Sequence, residues 1–264
     1  MPVPCFTHEM SLDKVLKMQN SDPVAKKIYE KFLQLSFSID QKMIAARYFL
    51  GCLHSFDFSK LTEALSSSDE TRIIEHTISF GISVVYCDVS MYARAKPAYQ
   101  FLLNLLVDGV FAHLVGITDI LGKVIAEIYG FGSQKQAKYL HTVRDYMATR
   151  YSTSSVSTYL LNNYPDNQTH PFHWLNTLKE IRNEVEHRDI CEIGTIQAGY
   201  RLGGYGPNTP VIIYLDKRFF QSPTNDDERN VLNFATSAEN DMAHFVDEIY
   251  GLLAQEVTIN GVPI

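Results

Sequence analysis

The sequence predicts an all-α protein, a helical bundle that carries a small β-hairpin. Apolar residues recur at three- and four-residue intervals over most of the chain, as they do on one face of a helix. The longest apolar run, 97–129, is apolar on nearly every face, which is typical of a buried central helix. A domain of 264 residues can bury roughly three quarters of its unfolded surface, so its core needs neither disulfides nor metal. We predict a single domain over residues 1–264.

The first third of the chain predicts three helices. Asp22-Pro23 can begin a helix that ends near Phe37, and Asp40 can cap a second one over 41–54. A serine-rich loop at 66–69 then ends in an N-cap, and a third helix follows to about Tyr92. Residues 82–86 also fit a short strand.

The apolar run 97–129 predicts the central helix of the bundle rather than a membrane span. Asp108 and Asp119 lie within it, and an aspartate at a bilayer centre costs about 2.5–3.5 kcal/mol. We therefore expect no membrane association. Three glycines inside the run predict close helix contacts or a bend: Gly109, Gly116 and Gly122.

The second half predicts shorter elements after a break at Gly130. Ser133 can cap a basic helix that reaches Arg150, and 152–169 forms a long connection with one helical turn at 159–161. The remaining expectations are a helix over about 170–189, a β insertion over about 192–216 and a last helix over about 226–256.

Charge and cysteine content limit the functional class and the compartment. The chain has 23 Lys and Arg against 30 Asp and Glu, a net charge of −7, which speaks against a protein that coats nucleic acid nonspecifically. Its four cysteines form no Cys-x-x-Cys pair, and its beginning lacks the pattern of a secretion signal. We therefore predict reduced thiols and a cytoplasmic location.

The predicted helix over 170–189 has an unusual outward face. A narrow apolar stripe must face the bundle, and relative to its centre Arg182 lies about 70° away, Asn183 about 170° and His187 about 150°. The outward face therefore holds neutral polar and aromatic groups, which predicts a groove or an interface. The stripe consists of Trp174, Leu178, Ile181 and Val185, and the outward face also holds Phe172, Asn176 and Ile190.

The segment Ile181-Arg-Asn-Glu-Val-Glu-His187 resembles the Arg-x4-6-His signature of the HEPN superfamily, with the polar residue that often follows its arginine. The resemblance covers this one motif. It implies a HEPN-like helical bundle, a homodimer in which two motifs face one cleft, and cleavage of RNA without a metal or cofactor. In that chemistry His187 would transfer protons, Arg182 would hold the phosphate and Asn183 would position phosphate or ribose.

Two further groups of residues could support an RNA site. Asn104, Asp108 and Asp119 fall within about 60° of one another on a helix, although a wetted helix edge, or caps and ion pairs in the bundle, is the more ordinary explanation. Lys135, Lys138 and Arg144 could hold the RNA backbone, although basic residues on a solvated helix face are common.

Several alternatives remain open at this point. Ion pairs of the i,i+4 type could explain Arg182 to His187 as a charged helix end. Glu184-x-x-His187 and Asp241-x-x-His244 resemble half-sites of a carboxylate-bridged metal bundle. Arg47-x6-His54 fits the looser spacing, but the aromatic and leucine residues around it predict a packed helix. The chain could also be a noncatalytic module that binds RNA, a nucleotide or a regulatory protein.

Overall fold

The described residues are mainly helical, which confirms the all-α class. A computed structural model describes residues 6–18, 23–55, 75–78, 82–85, 98–164, 168, 170–187, 215, 219–221 and 229–260. The helices are α1 Thr7–Met18, α2 Pro23–His54, α3 Ala98–Ile128, α4 Leu140–Arg150, α5 Ser155–Asn163, α6 Trp174–His187 and α7 Val231–Asn260, with a 3₁₀ turn at Lys135–Lys138. The strands are β1 Glu75–Ile78 and β2 Ile82–Val85.

The two strands form an antiparallel hairpin where the sequence predicted a helix to Tyr92. Glu75 pairs with Val85, and Ile78 pairs with Ile82. β-branched residues dominate these segments, and such residues favour strands over helices. The helix prediction was therefore wrong here. The β insertion predicted over 192–216 lies outside the described residues except for Leu215, whose backbone N–H donates to the carbonyl of Arg229 at 2.7 Å.

α2 is one continuous helix, so the predicted break near Asp40 was wrong. Asp40 lies inside the helix with 8% of its surface exposed, and Ser36 is 1% exposed. The Ser36 hydroxyl lies 2.9 Å from the hydroxyl of Tyr250. Asp40, which resembles a helix start in the sequence, is therefore a buried internal residue of α2.

α1 occurs where the sequence predicted no helix, and α5 is longer than the helical turn predicted at 159–161. α1 precedes the first predicted helix and buries Leu12 and Leu16 completely or nearly so. α5 occupies the segment read as a long connection, and its N-cap Ser154 accepts a hydrogen bond from the backbone N–H of Ser157 at 3.1 Å. Ser133 was also wrong as a cap, because the 3₁₀ turn begins after Gln134.

α3 matches the predicted central helix. Val110, Leu114 and Leu121 are fully buried, and Gly130 follows its end with a φ of 74°, a conformation that favours glycine. Within the described residues, Leu105–Ile128 is also the one segment whose length and mean hydropathy of 1.6 would suit a membrane span. More than half of it is buried within the protein, and a core helix passes the same test.

The chain forms two compact units whose boundaries fall inside four of the helices. Unit 1 comprises 1–45, 113–176 and 238–264, and unit 2 comprises 46–112 and 177–237. Unit 1 therefore contains all of α1, α4 and α5, and unit 2 contains the β-hairpin. The segments of α2, α3, α6 and α7 are divided between them.

The glycines of α3 permit close contacts, as the sequence predicted. A Cβ atom on Gly122 would lie 3.1 Å from the backbone N and Cα of Leu140, at the start of α4. One on Gly116 would meet only the end of the flexible Lys42 side chain, and one on Gly109 would meet the ring of Phe49. Only Gly122 therefore faces a backbone that cannot move away cheaply.

We expect Gly122→Ala to destabilise the protein and Gly116→Ala to leave it unchanged or stabilise it. The helix propensity of alanine favours both substitutions by about 0.5–1 kcal/mol. At Gly122 overpacking against the Leu140 backbone should outweigh this gain by about 1–2 kcal/mol. Urea unfolding of both variants measures the difference, and equal stabilities would contradict the assigned close approach of α3 and α4.

A half-buried carboxyl group on α1 lies near two other acids of unit 1. Burial, together with the negative charges of Asp40 and Asp13, raises the pKa of Glu9 from 4.5 to about 7. The Oε2 atom of Glu9 is buried and has no hydrogen-bond partner in the described part of the chain. Because the folded state binds this proton more tightly than the unfolded state, its stability falls as the pH rises from about 4.5 to about 7.

We therefore expect Glu9→Gln to be more stable relative to wild type at pH 8 than at pH 5. The gain should be on the order of 1 kcal/mol after allowance for solvent screening of this half-exposed group. Glu30→Gln, on the exposed surface of α2, is the matched control. Chemical unfolding at the two pH values measures the effect, and a pH-independent difference for Glu9→Gln would contradict it.

Candidate functional site

In the second half of the helix that carries the Arg-x4-His motif, the described side chains lie where the sequence predicted them. Leu178 and Ile181 of the stripe are at most 1% exposed. Arg182 is half-buried at the boundary of the stripe, and Asn183 is exposed. The Nη1 atom of Arg182 lies 3.4 Å from the Oδ1 atom of Asn183, so the two side chains lie next to each other. The α6 backbone extends to His187, whose side chain lies outside the described residues.

The beginning of α6 is more buried than the sequence predicted. Asn176, predicted on the outward face, is only 4% exposed, and its Nδ2 donates to the carbonyl of His170 at 2.9 Å. Thr177 is 3% exposed and its hydroxyl donates to the carbonyl of Phe219. Tertiary contacts therefore cover the first turn, and the outward face begins further along. Phe172, before the helix, is exposed as predicted.

His173 has a structural role at the start of α6. Its Nδ1 atom accepts a hydrogen bond from the backbone N–H of Leu175 at 3.4 Å, and its ring lies 5.9 Å from that of Trp174. Burial, followed by the nearby charge of His170, lowers the pKa of His173. A neutral imidazole is the form that can accept this hydrogen bond, so His173 fits a helix cap. Within the described residues, no cluster of three His, Cys, Asp or Glu side chains could hold a metal.

The three polar residues of α3 that were predicted to assist the motif are divided between the two units. Asn104 and Asp108 belong to unit 2, which also holds Arg182, Asn183 and His187, whereas Asp119 belongs to unit 1. Asp108 and Asp119 are both half-buried. Unit 2 therefore contains the whole predicted motif and two of the three polar residues predicted to assist it.

The predicted RNA-binding cations lie in unit 1 in two different environments. Lys135 and Lys138 are exposed at the 3₁₀ turn. The Arg144 side chain is only 12% exposed: its Nη2 atom lies 2.7 Å from the Asp145 carboxylate, and its Nη1 atom donates to the carbonyl of Tyr164. The guanidinium also lies 5.5 Å from the centre of the Tyr164 ring. Arg144 thus joins α4 to the end of α5.

A carboxylate that the sequence analysis missed lies at the start of α5. Oε1 of Glu256 accepts hydrogen bonds from the backbone N–H of Ser155 at 2.6 Å and of Val156 at 3.2 Å. The hydroxyls of Ser154 and Ser155 donate to the same oxygen, and the hydroxyl of Tyr129 donates to Oε2. Glu256 thus satisfies backbone donors that a helix start leaves unpaired. No spacing in the sequence indicates a cap that lies about one hundred residues away.

These contacts shift the pKa values of Glu256 and Tyr129 in opposite directions. Burial alone would raise the pKa of Glu256, but hydrogen bonds from Ser155, Tyr129 and Ser154 outweigh it and lower the pKa. Burial, together with the hydrogen bond to Glu256, raises the pKa of Tyr129. A carboxylate with a lowered pKa is a weak base, so this arrangement suits structural anchoring rather than activation of a serine nucleophile.

A pocket of about 410 Å³ opens beside this carboxylate, within unit 1. Its polar lining includes Arg150, Thr153 and Glu256, and the rings of Tyr129 and Tyr151 lie 4.8 Å apart next to it. Buried apolar side chains complete the lining: Ile128, Leu253 and Val257. This volume is at the small end of the range for ligand pockets.

The chain matches no protein-family model, no curated protein and no solved structure.

We expect Glu256→Ala to destabilise the protein by about 1–2 kcal/mol, because the start of α5 loses its charged acceptor. The loss should be greatest near neutral pH. The lowered pKa means that the carboxylate stabilises the fold above about pH 4.5 and ceases to do so as the pH falls through its folded-state pKa. Urea unfolding at pH 7 and pH 4 measures both effects, with the exposed neighbour Gln255→Ala as control. Equal losses at the two pH values would contradict the assignment.

Proposed function

We propose that the protein is an endoribonuclease of the HEPN type that cleaves RNA without a metal ion. The observation that carries the proposal is the arrangement in the second half of α6, where Arg182 and Asn183 lie side by side in the pattern Arg182-x4-His187. Arg182 is half-buried, so its guanidinium keeps less conformational freedom than a fully exposed one, while Asn183 is open to solvent. A partly fixed cation beside an exposed amide suits the binding of a phosphate.

The proposed reaction needs three groups around one phosphodiester. A base removes the proton of the ribose 2′-hydroxyl, whose oxygen attacks phosphorus while the bond to the 5′-oxygen breaks. An acid protonates the leaving 5′-oxygen, so the products are a 2′,3′-cyclic phosphate and a 5′-hydroxyl. His187 has the ordinary chemistry of a proton-transfer group near neutral pH. Arg182 would stabilise the charge on the phosphorane, and Asn183 would orient the phosphate or the ribose.

We propose a homodimer because one copy of the motif contains too few proton-transfer groups for the reaction. One copy of the motif supplies one histidine, whereas the reaction needs both a base and an acid. A second copy facing the same cleft would supply the other group. We also propose that Asp108 supports this site, because it belongs to the same unit as the motif, and we assign Asp119 no part because it belongs to the other unit. We place this activity in the cytoplasm and propose that a regulatory protein restrains it.

We expect the purified protein to cleave single-stranded RNA in EDTA, and Arg182→Ala and His187→Ala to lose at least about a hundredfold in rate. Mass spectrometry should find 2′,3′-cyclic phosphate ends. A substrate with 2′-O-methyl groups should resist cleavage, because its blocked oxygen cannot attack.

Arg47→Ala and His54→Ala are the matched controls, because these residues form a second pair with the Arg-x4-6-His spacing. Arg47 is an exposed residue of α2, and the Nε2 atom of His54 lies 3.2 Å from the hydroxyl of Thr236. Both variants should cleave RNA at the wild-type rate. Cleavage that is abolished by EDTA, or lost equally in all four variants, would contradict the proposal.

Two further results would change the assigned function. Binding of RNA without any cleavage, unaffected by Arg182→Ala and His187→Ala, would make the protein a noncatalytic binding module. A monomer at micromolar concentration in analytical ultracentrifugation, together with full activity, would contradict the composite dimer site while leaving the nuclease in place.

A further inference from the structure

The first two helices of unit 1 lie side by side in opposite directions. The hydroxyl of Tyr29 on α2 donates to the Oδ1 atom of Asp13 on α1 at 3.0 Å. Phe6, just before α1, and Phe32 on α2 both lie edge-on to the ring of Tyr250. Residues that come earlier in α1 therefore lie beside residues that come later in α2, so the two helices are antiparallel. Their outer sides form one surface.

Large apolar side chains are exposed on the outer sides of both helices. On α2, Leu33, Phe37 and Ile44 fall within about 40° of one another around the helix axis, so they form one narrow row. On α1, Met10 and Met18 are about two turns apart on the same side of the helix. These five side chains are 43–77% exposed. The opposite sides of the two helices enter the core, so the exposed row has no packing role within unit 1.

Lysines lie among these apolar side chains. Lys14 and Lys17 share the exposed side of α1, and Lys26 falls in the apolar row of α2, with Lys27 beside it. All four are exposed, and no carboxylate of the described residues lies within ion-pair distance of any of them. Among the described residues of the two helices, Glu30 is the one acid that is fully exposed. We refer to the exposed sides of α1 and of residues 26–44 of α2 as the α1–α2 face.

We propose that the α1–α2 face attaches the protein to the surface of an anionic lipid bilayer. The exposed apolar side chains would enter the boundary between headgroups and acyl chains, while the lysines would meet the negative headgroups. Both helices would lie on the bilayer rather than cross it. The expectation of no membrane association was based on the central helix and therefore concerns a membrane span. The leaflet that faces the cytoplasm is anionic, so it matches the positive charge of this face.

A lipid surface fits this face better than other macromolecules do. Lysine is depleted at protein interfaces, whereas lysines alternate with the apolar side chains here. A second copy of the chain would bring these lysines together, because a two-fold axis places identical surfaces opposite each other. Single-stranded nucleic acid stacks its bases on aromatic rings, and Phe37 is the one fully exposed ring among the described residues of this face.

We expect the full chain to sediment with vesicles of phosphatidylcholine that contain about 30 mol% phosphatidylglycerol, and not with vesicles of phosphatidylcholine alone. Half of the protein should be bound at about 1 mM lipid, and about 0.5 M salt should release it. Phe37→Ser, and the double variant Lys14→Gln and Lys17→Gln, should each weaken binding by about tenfold. Phe37→Leu, and the double variant Lys14→Arg and Lys17→Arg, should bind within about twofold of the wild type, because they keep the apolar surface and the charge.

Leu161→Ser and the double variant Lys123→Gln and Arg150→Gln are the matched controls. They remove an exposed apolar side chain of α5 and exposed cations of α3 and α4, all outside the α1–α2 face. Both should bind the anionic vesicles like the wild type. Thermal unfolding of every variant checks that the fold is retained.

Absence of binding to the anionic vesicles, equal binding to phosphatidylcholine alone, or equal losses in the controls would each overturn the proposal. A dimer that Phe37→Ser dissociates, without binding to vesicles, would assign the face to a second copy instead. Binding of soluble polyglutamate as tightly as vesicles, lost with the lysines but kept in Phe37→Ser, would assign it to an acidic protein.

The inference does not depend on the proposed function. The α1–α2 face lies in unit 1, whereas the Arg-x4-His motif lies in unit 2, and vesicle binding is measured without RNA. Attachment to vesicles without cleavage of RNA would retain the α1–α2 face and reject the nuclease. Cleavage that depends on Arg182, without attachment to vesicles, would do the reverse.

Discussion

The carboxylate of Glu256 is the interaction on which the arrangement of unit 1 depends most. It lies near the end of α7, accepts the first backbone N–H groups of α5 and receives the hydroxyl of Tyr129, just beyond α3. Three helix ends therefore meet at one charged acceptor. Because a charge that is satisfied by several donors is costly to leave unpaired, these ends cannot separate independently. The last residue of α4, Arg150, lines the pocket beside this junction.

α7 carries several of the acids that make the net charge of the protein negative. Between Glu239 and Glu256 this helix holds five acids and no Lys or Arg. Glu256 caps α5, Asp247 lies 3.1 Å from His8 and accepts its backbone N–H, and Glu239 is only 8% exposed. Several of the negative charges are thus engaged inside unit 1. A negative net charge is therefore compatible with an exposed cationic surface, because the two kinds of charge lie on different elements.

The elements that could be predicted are those in which the pattern of the element's own residues determines its secondary structure. α3 is apolar on all faces, and α6 has a narrow stripe, so both follow from local periodicity. The same periodicity placed Arg182 at a boundary and Asn183 outside. It failed at Asn176, where a hydrogen bond to His170 covers an outward position, and at Asp40, where burial replaces the cap.

What the sequence alone determined is the helical class, the central helix and the outward position of Asn183 in the Arg-x4-His motif. These depend on neighbours within about two turns of the chain, which a linear pattern contains. Only the tertiary structure decided the capping of α5 by Glu256 and the burial of Asp40. Each of these depends on where segments that are distant in the sequence meet in space. The physical cause is that buried polar groups must be paired, and no spacing along the chain encodes which partner they meet.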